Sequence, residues 1–302
     1  MAANKRDFLS LLDCSSEELA AIVSRAQHLK KNLDLNFRPL QGRTAVLILA
    51  LHSTRTRVAF ETGMNQLGGH TIVLNPEATQ LGRGEPIQDM ARVLSEMVDI
   101  AIIRTLAQED METLAASASV PVVNAMSSKL HPCQLLADMQ TFEEIRGPIG
   151  GRTVAFVGDG YNMCHSYINA ARQWGFHLKI ASPEGYEPDP QLVASTNNAE
   201  LVESPREAVE GADLVVTDVW SSMGHEEQQA ARREKFAPYQ VNEALLDYAP
   251  ASTLFMHCLP AHRGEEISPT LLDDPRSVVW QEAGNRLHSQ KALLEFLLAP
   301  AH

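Results

Sequence analysis

Short apolar runs alternate with segments of helix length along most of this 302-residue chain. Strand candidates fall at 44–51, 70–74, 99–104, 120–124, 153–158, 177–181, 213–217, 253–256 and 277–280. Runs of Val, Ile, Leu and Ala this apolar have both faces buried, which is what a parallel sheet covered by helices requires. The pattern predicts an α/β protein of two domains, each a parallel sheet flanked by helices, with helices linking them. Gly and Pro cluster at 145–153, "IRGPIGGRT", and mark a division into residues 1–147 and 148–302. The last stretch, "RLHSQKALLEFLLA", reads as a helix that packs back on the first domain. At the other end Ser15 and Glu18 have capping-box spacing ahead of the helical series Leu19, Ile22, Val23, Ala26 and Leu29.

Twenty-five basic against 38 acidic residues leave a net charge of −13. Nucleic acid and anionic membranes need a basic footprint, so neither is expected as a partner, and any anionic ligand must sit in a local basic pocket. No apolar run has the length of a membrane span, and Asp13 interrupts the apolar start before a signal-peptide core forms; a cytoplasmic protein is expected. Cys14, Cys133, Cys164 and Cys258 lack metal-ligand or disulfide-framework spacing and read as free thiols.

The run "AVLILAL" opens into "HSTRTRVAF", which places Ser53, Thr54, Arg55, Thr56 and Arg57 at a strand-to-helix turn. Ser53 stands at the N-cap position, and Phe60, Met64 and Leu67 supply the apolar stripe of the helix behind it. Backbone N–H groups, the helix dipole, hydroxyls and guanidinium forks would then converge on one point, as an anionic phosphate requires. On pattern alone a capped helix with two solvated arginines is an equal alternative. No GxxxxGK[ST] occurs, so the turn is not a nucleotide P-loop.

Further groups with carbonyl and amine chemistry follow. "IIRT" ends a strand candidate with Arg104, "HPCQLLAD" opens a helix with His131 and Gln134, and "EAGNRLHS" carries Arg286 at the start of the last helix. Arg104, His131 and Thr56 can donate to a carbonyl oxygen that gains charge during attack, while the oxygen of Gln134 can accept from an amide. "VGDGYNMCHS" begins a GxGxxG, but Met163 replaces the third glycine, so the dinucleotide fingerprint is incomplete. "TDVWSSMGHEE" supplies Asp218, Ser222 and Met223, and "HCLPAHRGEEI" supplies Cys258 and Leu259.

Taken in order, "STRTR", "IIRT", "HPCQLL", "GDGYNM", "DVWSSMG" and "HCLPAHRGEE" resemble the aspartate and ornithine carbamoyltransferases over nearly the whole chain. The resemblance implies that residues 1–147 bind carbamoyl phosphate and residues 148–302 the amino acid. Ser53, Thr54, Arg55, Thr56 and Arg57 would hold the phosphate. Arg104, His131, Gln134 and Arg286 would hold the carbamoyl group, with the backbone carbonyls of Cys258 and Leu259 on its amide. "HCLP" together with "SSMG" points to the ornithine branch, in which Asn162, Asp218, Ser222 and Met223 would bind L-ornithine and the Cys258 thiol would face its amine. The implied catalytic set is Arg104, His131, Asp218, Cys258 and Arg286, serving a step of arginine metabolism without metal or organic cofactor. "TQLGRGEPIQDMARVL" matches a loop in which Gln80 reaches a neighbouring subunit's phosphate site, which implies a homotrimer or a multiple of trimers. Two departures stand out: Ala50, Leu51 and His52 replace a charged segment common before the phosphate motif, and Tyr161 replaces an asparagine. A related transferase with another amine acceptor, or a non-catalytic Rossmann-type binding protein, would share parts of this pattern.

Overall fold

A computed structural model describes residues 5–32, 34, 36–50, 53–75, 84–105, 107–220 and 229–299, with backbone alone at 229–231. It comprises two compact units, Met1–Gln140 with Gly284–His302, and Thr141–Ala283. The chain passes between them inside two helices, α5 (Pro132–Arg146) and α11 (Val279–Leu298). The division thus falls within a helix, ahead of the Gly-Pro cluster at 145–153.

The first unit is built on β1 (Thr44–Leu49), β2 (His70–Leu74), β3 (Ile100–Arg104) and β4 (Val122–Met126). All are parallel, in the order β2-β1-β3-β4. The sequence dictates which strands are central: β1 and β3 are almost wholly apolar and buried, while the more polar β2 takes an exposed edge. Helices α1 (Ser16–Lys31), α2 (Thr54–Gln66), α3 (Ile87–Ser95) and α4 (Gln108–Ser117) complete the unit with parts of α5 and α11. Val46 and Ile48 of β1 pack with Ala101 and Ile103 of β3 against Met90, Ala91, Met111 and Leu114 of α3 and α4. The capping box at α1 forms as its spacing predicts, Ser15 accepting from the Glu18 N–H and Glu18 from the Ser15 N–H.

The second unit repeats the plan with β5 (Thr153–Val157), β6 (His177–Ala181), β7 (Ala199–Leu201), β8 (Leu214–Thr217) and β9 (Leu254–His257), parallel in the order β7-β6-β5-β8-β9. Its helices are α6 (Asn162–Trp174), α7 (Pro190–Ala194), α8 (Pro205–Val209), α9 (Gln229–Phe236) and α10 (Glu243–Leu246). Ala155, Val157, Val215 and Phe255 form one face of its core with Ala208, Val209, Leu246 and Ile267.

Two strand assignments differ from the sequence reading. Residues 277–280 do not form a strand: Ser277 makes a single bridge to Phe255, and α11 begins at Val279. Conversely β7 escaped notice, because its three residues "AEL" form a half-exposed edge with no apolar run.

Both sheets reverse direction of growth once. In the first, the reversal lies between β1 and β3; in the second, between β5 and β8. Open parallel sheets bind ligands beyond the C-terminal ends of the strands at such points. The residues following these four strands carry most of the chemistry singled out above.

Candidate active site

Within the first unit the phosphate motif is a strand-to-helix turn. Ser53 caps α2 with extended backbone (φ −155°), and its Oγ accepts the N–H of Thr56. Thr54 and Arg55 therefore present first-turn N–H groups and the positive end of the helix dipole beyond β1. Arg104 ends β3 in register with Leu49 and donates from Nη1 to Ser53 Oγ at 3.2 Å, closing the gap across the sheet reversal. Thr56 is fully buried. Its Oγ1 accepts from Arg286 Nη2 at 3.4 Å, and Arg286 Nη1 donates to Gln134 Oε1 at 2.6 Å. Gln134 Nε2 in turn donates to Asp138 one turn along α5, at 2.9 Å. Arg286 is buried and sits two turns inside α11, not at the helix start where the sequence reading put it, because the helix starts at Val279.

His131 precedes α5 and is buried. Burial foremost, then the charges of Arg286, Arg104 and Arg55, hold its imidazole well below the usual histidine range. At neutral pH it is an uncharged ring that can offer one N–H to an oxygen without surrendering a proton outright. Ser53, Arg55, Thr56, Arg104, His131, Gln134 and Arg286 thus form one cluster of donors around three guanidinium groups. Thr54 is exposed at the head of α2. Arg57 departs from the set: its side chain is 53% exposed and pairs with Glu61 one turn along, at 3.3 Å. Gln80, together with Leu51 and His52, lies outside the described residues.

Within the second unit, Asp218 follows β8 and Cys258 follows β9, strands paired through Thr217 and His257. The Cys258 thiol donates to Asp218 Oδ1 at 3.2 Å, and the Val219 N–H donates to the same oxygen at 2.8 Å. Burial pushes the Asp218 carboxyl above its ordinary range, opposed by His257, by these two hydrogen bonds and reinforced by Glu266. Leu259 adopts φ 54°, a left-handed conformation that costs a branched residue about 1–2 kcal/mol. Its N–H is held by His257 Nδ1 at 2.9 Å, so the His257 proton lies on Nε2, facing Glu266 Oε1 at 3.2 Å. The His257 N–H is held by Glu282 at 2.9 Å. His257, Glu266 and Glu282 were not singled out from the sequence; the clue was the pairing of His257 with the acidic end of "HCLPAHRGEE". Asn162, buried, opens α6 beyond β5. Ser222 and Met223 lie outside the described residues.

Metal-ligating atoms come together twice among the described residues, at Asp218, His257 and Cys258 and at His262, Glu265 and Glu266, each set within 4.8 Å. In the first set both His257 nitrogens face partners of the protein itself, Leu259 and Glu266. The donors are therefore arranged as a hydrogen-bond network rather than as an open coordination shell.

The chain is similar to known proteins over nearly its whole length. Residues 6–144 match the carbamoyl-P binding domain, and residues 150–297 the Asp/Orn binding domain, of the aspartate/ornithine carbamoyltransferases. An ornithine carbamoyltransferase of Chromohalobacter salexigens is 57% identical over 297 residues, covering 97% of each chain. An anabolic ornithine carbamoyltransferase of Pseudomonas aeruginosa is 57% identical over 300 residues, covering 98% of each. Among solved structures, the ornithine carbamoyltransferase of Pyrococcus furiosus superposes with a TM-score of 0.92 at 44% identity, covering 99% of this chain and 98% of that one.

Proposed function

Because the chain belongs to the aspartate/ornithine carbamoyltransferase family, we infer that it transfers the carbamoyl group of carbamoyl phosphate to the δ-amine of L-ornithine, giving L-citrulline and phosphate. The observation that carries the ornithine assignment is 57% identity across essentially the whole chain to proteins of that activity. The anabolic designation of the Pseudomonas aeruginosa relative supports a role in arginine biosynthesis.

The side-chain roles follow from the chemistry. Ser53, Thr54 and Arg55 hold the phosphate of carbamoyl phosphate on the α2 terminus, where N–H groups and dipole favour an anion. Arg104, neutral His131, Thr56 and Arg286 donate to the carbamoyl oxygen as it takes on negative charge. Gln134 turns its amide oxygen to the carbamoyl N–H groups. Asp218 takes the α-ammonium of ornithine, Asn162 its carboxylate, and Cys258 lies beside the attacking amine, with Ser222 and Met223 at the amino-acid end.

An aliphatic amine with a pKa near ~10.4 is uncharged in only about one molecule in a thousand near pH 7.4. Catalysis therefore starts from the rare neutral δ-amine. Its lone pair forms the C–N bond at the carbamoyl carbon, the C–O bond to phosphate breaks with its electron pair leaving on the phosphate, and the nitrogen's proton passes to that phosphate, giving citrulline and hydrogen phosphate. The residues named suffice for these steps without a metal or organic cofactor.

The family loop at 79–94, with Gln80 as the reaching residue, supports assembly as a homotrimer or a multiple of trimers, and no described helix is long and apolar enough to cross a membrane. We assign the protein to the cytoplasm. The test is citrulline formation from carbamoyl phosphate and L-ornithine, with L-aspartate, putrescine and N-acetylornithine in parallel. Product from ornithine alone supports the assignment, and turnover with a different amine overturns it. Sedimentation of the same preparation as a monomer would remove the trimer.

A further inference from the structure

The reaction steps leave unused one buried ion pair of the second unit. Arg232, on α9, and Asp159, in the turn after β5, face each other with side chains only 8% and 12% exposed. Arg232 Nη2 donates to Asp159 Oδ2, and Nε donates to the carbonyl of Trp220 at 2.5 Å. The guanidinium carbon lies 4.5 Å from the ring centre of Tyr186 and 5.1 Å from that of Phe236. Tyr186 is itself bound to the β5–α6 turn, since its carbonyl accepts the Gly160 N–H at 2.8 Å. That turn has no slack: a Cβ on Gly160 would lie 2.2 Å from the nitrogen of Pro188.

One cation thus fastens three segments, the turn 158–162, the residues after β8 and the turn 183–188. Asn162 stands three residues beyond Asp159, and Asp218 two residues before Trp220. A buried ion pair is poor evidence of stabilisation, because well-packed apolar residues often serve as well; its usual merit is to fix a geometry. Charge points the same way. Burial raises the Asp159 carboxyl above its ordinary range and the nearby Asp218 adds to that rise, while the charge and hydrogen bond of Arg232 oppose it.

We propose that Arg232 and Asp159 are a positioning pair for the amino-acid substrate: by tying the β5–α6 turn to the residues after β8, they set Asn162 and Asp218 at the separation that grips the carboxylate and ammonium of ornithine. The inference rests on the functional reading above and adds two residues to it. Neither residue touches the reacting atoms.

The experiment compares the full-length enzyme with Asp159→Asn, Arg232→Lys and the double variant Asp159→Asn/Arg232→Gln, by steady-state citrulline formation and thermal melting. Exposed Arg233→Gln serves as the control. The ornithine KM is expected to rise tenfold or more in both single variants, with the carbamoyl-phosphate KM within twofold of the unaltered enzyme. Lysine keeps the charge but cannot reach both the Trp220 carbonyl and Asp159, so Arg232→Lys is expected to restore little. If Asp159→Asn does not fold, Arg232→Lys and the double variant, which removes both charges together, decide the question. Equal rises in both constants, or an ornithine KM unchanged in folded variants, would overturn the positioning role. Failure of the unaltered enzyme to make citrulline from ornithine would instead overturn the reading on which it rests.

Discussion

Arg286 and Gln134, 152 positions apart in sequence, are joined by a 2.6 Å hydrogen bond from guanidinium to amide oxygen. Each therefore occupies the group that the other would use for carbamoyl phosphate in the function proposed above. On the proposed reading, a turn of Arg286 to the carbamoyl oxygen would free the Gln134 oxygen for the carbamoyl amide, so that the two contacts would form together. Both side chains are buried and Gln134 is braced by Asp138, a fixed support for such an exchange.

Arg286→Lys tests this exchange. A lysine retains the charge but lacks the fork that spans Gln134 and Thr56. Loss of one donor to a developing oxyanion lowers turnover by about 10²–10³. A kcat reduced by that order, with ornithine KM within threefold, is expected from steady-state kinetics. A kcat within threefold of the unaltered enzyme would exclude Arg286 from the oxyanion contacts.

The arginines of "STRTR" are predicted to behave differently. Arg55 is close enough to His131 to depress its pKa, whereas Arg57 is exposed and paired with Glu61. A charge-assisted hydrogen bond contributes roughly 1.5–3 kcal/mol, or about ten- to a hundredfold in affinity. Arg55→Gln should raise the carbamoyl-phosphate KM and weaken inhibition by phosphate by that factor, and Arg57→Gln should change either by less than twofold. Comparable effects of the two substitutions would return Arg57 to the phosphate site.

The contrast between these arginines marks what the sequence could and could not disclose. The central strands were legible because burial on both faces leaves an unbroken apolar run, as in "AVLILAL" and "TVAFVG". The edge strand at Ala199–Leu201 was not, because an exposed edge makes no such demand. Ser53 was legible as a cap from its chemistry alone, and Arg104 and Asp218 from their places at strand ends. Arg55 and Arg57, two residues apart on a helix, are alike in sequence and differ only in the direction a helix turn gives them. Arg286 was misplaced for a similar reason: the apolar residues of 277–280 suit a strand as well as the first turn of α11, and only the packing decides between them. Arg232 was invisible because its partners are a distant carboxylate, a backbone carbonyl and two rings, none of which leaves a spacing to read.

His131 gives a pH-dependent stability. Its native pKa lies well below 6.5, so as pH falls through about 6.5 the unfolded chain takes up a proton that the folded chain refuses, and folding loses stability progressively below that value. His131→Gln removes this contribution. Between pH 7.5 and 5.5 the melting temperature of the unaltered enzyme is expected to fall more than that of the variant, whatever their offset at pH 7.5. Parallel curves would mean that His131 titrates normally and lacks the cationic surroundings described.

The last prediction concerns the thiol that the ornithine branch brings to Asp218. Cys258 Sγ donates to Asp218 Oδ1 at 3.2 Å, so the thiol both braces the carboxylate and occupies the space beside it. A serine hydroxyl is a stronger donor but forms shorter hydrogen bonds, which would pull residue 258 toward Asp218 and away from the amine position. The Leu259 backbone, held at φ 54° and by His257, has little freedom to follow. Cys258→Ser should therefore raise the ornithine KM at least fivefold and lower kcat, while the carbamoyl-phosphate KM and the affinity for inorganic phosphate stay within twofold. The two constants separate a local role beside ornithine from a general loosening of the fold, since the residues proposed to hold the phosphate all belong to the first unit. A carbamoyl-phosphate constant that suffers more than the ornithine constant would place the thiol against the other substrate.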